Sequence, residues 1–299
     1  MAVIVRTPAN KGPAMSRRIA RKLVSSLLSP LRLELVRAPR DLEDFLEPGK
    51  HRDRIFQRVA EAADGWLRTQ TIAPWRQDFD VAREVREFFD DYRASPFREP
   101  HGGSRIGNLL WLDLLAKTFA PDVMVDSGTF KGASAWALRR GYPGARLLSF
   151  DIDLSRLLLR VPGADYIESD WTRHDITGQH ILCYFDDHVD QCRRVREAAA
   201  RGVAVAVFDD DYDVTQFAPM AHGGFSLPKL SFCFDRALAD GEVIAWREGG
   251  HRHEWTVPGG ELAAVRGMVE HYQRLPDISA PFGVDQMPYS IAALRRPSA

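Results

Sequence analysis

The chain has 299 residues, of which 45% are hydrophobic and 27% charged, with a formal net charge of −1. That balance supplies a buried core and argues against disorder and against electrostatic binding of nucleic acid by the chain as a whole. Three scattered cysteines, Cys183, Cys192 and Cys233, form no C-x-x-C pair. They argue against a disulfide framework or a cysteine-built zinc site and fit a reducing, cytoplasmic setting.

The charge is uneven along the chain. Residues 1–40 hold nine Lys/Arg and one acid, Glu34. Within them, Ser16 to Val36 has an amphipathic helical pattern: Ile19, Leu23 and Leu27 share a face beside Arg17, Arg18, Arg21 and Lys22, and Pro30 kinks the run. Arg21, Lys22 and Arg32 interrupt the apolar stretch, which disfavours a signal peptide. Such a helix either docks on the globular part, pairs with a second copy in a homo-oligomer, or makes peripheral membrane contact through residues 16–40. No apolar run is long enough for a transmembrane helix.

Helical spacing next predicts helices at Arg52–Thr69 and at Asp80–Tyr92, the latter with Val81, Val85, Phe88 and Phe89 on one face. Residues 95–103, broken by Pro and Gly, read as a linker or ordered loop between an N-terminal helical extension (1–98) and a second domain (99–299). From Ile106 onward, helices and short apolar strands alternate. Helices are expected at Ile106–Phe119, Ala133–Arg140, Gln191–Ala200 and Glu261–Tyr272. Strands are expected at Val123–Val125, Arg146–Phe150, Asp165–Ile167, Ile181–Phe185 and Val203–Phe208, then near Glu242–Trp246, His253–Val257 and Tyr289–Leu294. This alternation predicts a Rossmann-like, doubly wound α/β domain with a mostly parallel seven-stranded sheet.

In such sheets a ligand sits outside the carboxyl ends of the strands, where strand order reverses. The first strand runs directly into Asp126-Ser127-Gly128-Thr129-Phe130-Lys131-Gly132-Ala133-Ser134. Gly128 permits a tight turn, Gly132 lets the next helix start close to a ligand, and Ser134 lies in that helix's first turn. The spacing D-x-G-x-x-x-G-x-S differs from the dinucleotide pattern G-x-G-x-x-G and lacks the G-K-[ST] of a phosphate loop. The next strand ends in Asp151, placed to accept hydrogen bonds from two ribose hydroxyls.

Residues 123–134 resemble the first motif of class I S-adenosylmethionine (SAM)-dependent methyltransferases, in the branch of the cephalosporin-hydroxylase-like and macrolide-sugar O-methyltransferases. The resemblance spans about residues 100–215. His101-Gly102-Gly103-Ser104-Arg105, and Phe185-Asp186-Asp187-His188 followed by Arg193-Arg194, also look like a bacterial methyltransferase-like group suspected of acting on glycans. The resemblance implies that Asp126 and Gly128 hold the methionine end of SAM and Asp151 the ribose, with Ser127, Thr129, Lys131, Gly132 and Ser134 completing the loop and Asp170 and Trp171 near the adenine.

Two further strands end in acids, in Asp186-Asp187-His188 and in Asp209-Asp210-Asp211-Tyr212-Asp213. Carboxylates gathered at one sheet edge repel one another, and Mg²⁺ with oxygen ligands would relieve this. The resemblance carries a metal onto Asp186, Asp209 and Asp210; the competing reading is that these acids cap helices and bind loop N–H groups. His188 is a candidate general base, and Asp186 a catalytic partner. Asp186 stands two residues before His188, where the related enzymes place an acid three before, so which of Asp186 and Asp187 faces the site stays open. His222-Gly223-Gly224-Phe225 reads as a flexible turn, and His251 and His253 as part of a solvated hairpin.

Together these features predict a SAM-dependent O-methyltransferase acting, with or without Mg²⁺, on a hydroxyl of a sugar, glycan or small natural product. The alternatives are a binding or scaffold protein on the same fold, and a metal-dependent hydroxylase-like enzyme.

Overall fold

A computed structural model describes residues 50–72, 78–98, 103–214, 227–234, 238–248, 251–282 and 286–295. The chain divides into a unit of residues 1–45 and a unit from Leu46 to Ala299, and the described residues belong to the second. The helix expected at 16–36, His101 and Gly102, and the His222–Phe225 turn lie outside the described residues.

The order is α1 (Lys50–Leu67), α2 (Val81–Ala94), α3 (Ile106–Phe119), β1 (Val123–Ser127), α4 (Ala133–Gly141), β2 (Arg146–Asp151), β3 (Ala164–Glu168), β4 (Ile181–Phe185), α5 (Gln191–Ala200), β5 (Val205–Phe208), β6 (Val243–Glu248), β7 (His251–Thr256), α6 (Glu261–Met268), β8 (Val269–Arg274) and β9 (Ser290–Leu294). Seven strands form one sheet in the order β3-β2-β1-β4-β5-β9-β8. β1 to β5 are mutually parallel, and β9 runs antiparallel to both β5 and β8. β1, β4, β5 and β9 are buried at every residue, as their unbroken apolar runs require of strands covered on both faces.

Register decides what meets at the carboxyl edge. Ser127 lies opposite Phe150 on one side and Phe185 on the other, and Phe185 opposite Phe208. The next residue of each strand or its loop is therefore Gly128, Asp151, Asp186 and Asp209, four neighbours in one row. Strand order reverses between β1 and β4, so the crevice opens at Gly128 and Asp186.

Two expectations in the C-terminal third are corrected. The helix predicted over 261–272 ends at Met268, and Val269–Arg274 becomes β8, paired with β9. Gly267 weakens the helix in its last turn, and β-branched Val269 with Tyr272 fits a pleated surface better. The strands expected near 242–246 and 253–257 pair only with each other, as a separate hairpin from Val243↔Thr256 to Glu248↔His251. β8 takes the edge place beside β9, and neither hairpin strand joins the main sheet.

α2 and α3 hold the amino-terminal flank of the sheet. Asp80 caps α2 by accepting from the Arg83 N–H at 3.0 Å. Its buried face carries Phe88, Phe89 and Tyr92, which contact Phe56 of α1, Trp136 of α4 and Phe282. α3 is buried at every residue except Lys117, and Trp111 Nε1 donates to Pro276 O at 3.0 Å. Beneath these aromatics lies an ion network. Arg140 reaches Asp113 at 2.7 Å and Asp91 at 2.8 Å, and both Arg140 and Lys117 pair with Glu84.

Candidate functional site

The loop after β1 is fixed by its own backbone. Gly128 N–H and Thr129 N–H both donate to Phe150 O, at 2.9 and 3.1 Å, and Gly132 N–H donates to Thr129 O at 2.7 Å. Phe130 N–H donates to Asp151 Oδ2 at 2.8 Å. Four loop N–H groups are thereby spent internally, so the loop makes a poor nest for a pyrophosphate. Gly128 has φ +94° and Gly132 φ +90°. A Cβ at Gly128 would lie 2.2 Å from Asp186 O, and one at Gly132 would lie 2.7 Å from Leu159 O. Both glycines let neighbouring backbone close in, the first across the crossover itself.

Asp126 is wholly buried and accepts from Ser149 Oγ at 2.6 Å. Burial pushes its pKa up to about 6, against the pull of that hydroxyl. The Ser134 and Thr129 hydroxyls bond the same carboxyl and, with Ser149, oppose the upward pull of burial. Ser134 is buried in the first turn of α4, whose N-cap, Gly132, offers no side chain. Phe130, in left-handed backbone at φ +46°, has Lys131 Nζ 5.2 Å and the Arg156 guanidinium 5.7 Å from its ring centre.

Asp151 is half-buried; Oδ1 accepts from Asp153 N–H at 3.0 Å, and both oxygens keep a further lone pair. Ile152, just beyond it, is 84% exposed, a bare apolar surface beside the crevice. Asp170 and Trp171 are placed differently. Asp170 caps the turn Trp171–Arg173 through Thr172 and pairs with Arg194 at 2.9 Å; these partners hold its carboxyl far below the usual range in spite of burial. Trp171 has no exposed surface and packs on Phe185 with ring centres 5.5 Å apart. Both support the wall of the crevice from behind.

Asp186 and Asp187 part company. Asp187 accepts from Ser127 Oγ at 2.5 Å and pairs with Arg194 at 2.8 Å, so it ties β4 to β1 and α5. Asp186 turns the other way. Its Oδ2 accepts from Tyr184 Oη at 3.3 Å, the same hydroxyl lies 3.4 Å from Asp209 Oδ2, and the two carboxyl groups also bond each other. Burial, with repulsion from Asp210, pushes Asp209 up to about 8; burial, with repulsion from Asp209 and Asp210, pushes Asp186 well above the ordinary value. Tyr184 Oη continues to Tyr289 Oη at 2.5 Å and Ser104 Oγ at 3.0 Å.

A small open recess is lined by Phe185, Asp186, Asp187, His188, Val189, Gln191, Asp209 and Asp210. His188 is exposed at its rim in left-handed backbone (φ +53°), as is Asp210 within it (φ +54°). The predicted acids therefore do meet: Asp186, Asp209 and Asp210 share this recess. Yet among the described residues no three His, Cys, Asp or Glu side chains stand as a set that could hold a metal ion. The Mg²⁺ expected on Asp186, Asp209 and Asp210 thus finds no set of three ligands among the described residues. His253 stacks on Trp246 in the β6–β7 hairpin, at 5.4 Å between ring centres. Arg194 belongs to the site's framework and stood in the Arg193-Arg194 motif without a role, whereas Tyr184, Tyr289 and Lys229 belong to it and escape a sequence reading. Their one signal is a polar residue inside an apolar run, as with Tyr184 in Ile181–Phe185.

No protein-family model matches this chain, and no curated protein does. Solved structures similar to it include the O-methyltransferase TomG from Streptomyces achromogenes in complex with SAM (13% identity, 94% of this chain and 99% of that one, TM-score 0.39). Others are human N-acetylserotonin methyltransferase in complex with SAM (13%, 93% and 83%, 0.38) and magnesium protoporphyrin IX methyltransferase from Synechocystis PCC 6803 (11%, 82% and 100%, 0.37). Likenesses this distant carry no argument about what this chain binds. Among the described residues no helix is long and apolar enough to cross a membrane.

Proposed function

We propose that this chain, whose seven-stranded sheet is the Rossmann-like fold of class I SAM-dependent methyltransferases, binds SAM at the β1–β4 crossover and methylates a hydroxyl of a sugar, glycan or small natural product. The observation that carries this reading is the single row formed by Gly128, Asp151, Asp186 and Asp209 at the point where strand order reverses. SAM supplies an electrophilic methyl on a sulfonium. Asp126, Thr129 and the glycine cradle at Gly128 would receive its amino-acid end. Asp151 would accept ribose hydroxyls on its remaining lone pairs, and the exposed face of Ile152 would cover an apolar ring. The acceptor would enter the recess beside His188, which stands at the rim to take the hydroxyl proton. The protein contributes orientation above all.

The test is binding followed by transfer. Asp151→Ala should weaken SAM binding at least about tenfold, the worth of one to two hydrogen bonds. His188→Ala should lower the turnover of an accepted hydroxyl substrate while leaving SAM binding intact. If SAM binds and no hydroxyl compound is methylated, the scaffold reading on the same fold takes its place.

A further inference from the structure

The end of β5 concentrates negative charge. Asp209, Asp210 and Asp211 are 7%, 8% and 0% exposed, and Asp186 faces the first of them. Carboxylates withdrawn from water need a proton, hydrogen-bond donors or a cation. Asp186 and Asp209 flank the Tyr184 hydroxyl, at 3.3 and 3.4 Å. Asp211 is met by neutral donors, Ser231 N–H and Tyr272 Oη, each at 2.8 Å. Asp210 keeps an oxygen, Oδ1, buried and without a hydrogen bond.

Lys229 has no exposed surface and is carried on the turn beside these acids, where Ser231, two residues on, meets Asp211 Oδ1. Burial pulls its pKa below the ordinary lysine value, and Asp210, Asp211, Asp209 and Asp186, in that order, push it back up. Its backbone is stitched to the same strand end. Leu230 N–H donates to Gln191 Oε1, whose Nε2 donates to Asp209 O, both at 2.7 Å. Ser231 Oγ donates to Tyr212 O at 2.7 Å. A lysine carried on a turn held at three points on the acidic segment is placed by the fold, not by chance packing.

We propose that Lys229 is the built-in counter-ion of this acidic edge, filling with its ammonium the electrostatic role that a divalent cation on Asp186, Asp209 and Asp210 would otherwise fill. The assignment concerns charge balance and holds whether or not the chain transfers methyl groups. It explains how three crowded acids persist without the arrangement of a metal site.

The experiment has two arms. In the first, wild-type protein is titrated with MgCl₂ against NaCl of matched ionic strength, by calorimetry and thermal unfolding. The expected result is no saturable heat and no Mg²⁺-specific shift in Tm. Saturable Mg²⁺ binding lost in Asp210→Asn would overturn the proposal. In the second, Lys229→Met, which keeps the apolar stem and deletes the charge, is compared with the double variant Lys229→Met/Asp210→Asn. The single variant should lose roughly 10 °C in Tm or fail to fold, and the double variant should recover much of that loss. A merely structural stem would give no such recovery. A single variant as stable as wild type, or a double variant no better than the single, contradicts the assignment.

Discussion

Asp126 looks from the sequence like a ligand-facing acid, and in the fold it is a wholly buried one whose pKa is pushed up to about 6. The sign follows from linkage. A carboxyl whose folded pKa lies above its unfolded value of about 3.9 favours the fold while it is protonated. That contribution is complete below about pH 4 and is lost as pH rises through 6. Replacing it with a neutral amide removes the dependence. The stability of Asp126→Asn relative to wild type should therefore improve between pH 4 and pH 7, by up to about 3 kcal/mol. Urea unfolding of both proteins at the two pH values measures it, and parallel curves would show that Asp126 is ionised in the fold. Gly128 gives a second residue-scale outcome. Gly128→Ala combines a left-handed φ with a Cβ against the Asp186 backbone, so a loss of about 2–4 kcal/mol is expected. Thermal unfolding within a degree of wild type would mean that the two loops do not meet as described.

Between elements, the weight of the amino-terminal flank rests on Arg140. It reaches Glu84 of α2 and Asp113 of α3 from α4, and these two carboxyls are 3% and 0% exposed. Removing one partner leaves buried charge behind, so Arg140→Ala should cost about 3–5 kcal/mol in chemical denaturation. Less than 1 kcal/mol would mean that water reaches these carboxylates. None of this was legible in the sequence, because the three residues are 27 and 56 positions apart in their pairings. What was legible is local. Unbroken apolar runs marked β1, β4 and β5, glycine spacing marked the crossover loop, and helical spacing marked α2 and α3. Failures came where tertiary pairing overrode local pattern. Val269–Arg274 continues a helical period but finds β9 as a partner. The 243–256 hairpin has strand character yet finds no place in the main sheet. The choice between Asp186 and Asp187 depended on where Arg194 and Ser127 lie, which spacing along one strand cannot reveal.

For the whole molecule, the sheet gathers loop, ribose-facing acid and recess on one edge, and each has a separate job. The loop spends its own N–H groups, which disfavours a pyrophosphate there. That distinction supports the central claim that the crossover is a SAM site. Calorimetric titration of the full-length protein with SAM and its demethylated product, alongside NAD as the competing nucleotide, tests it most directly. The account predicts one site per chain with micromolar Kd, about −8 kcal/mol, for both sulfur ligands and none for NAD. No heat and no thermal shift with either sulfur ligand, or saturable binding of NAD instead, would contradict it.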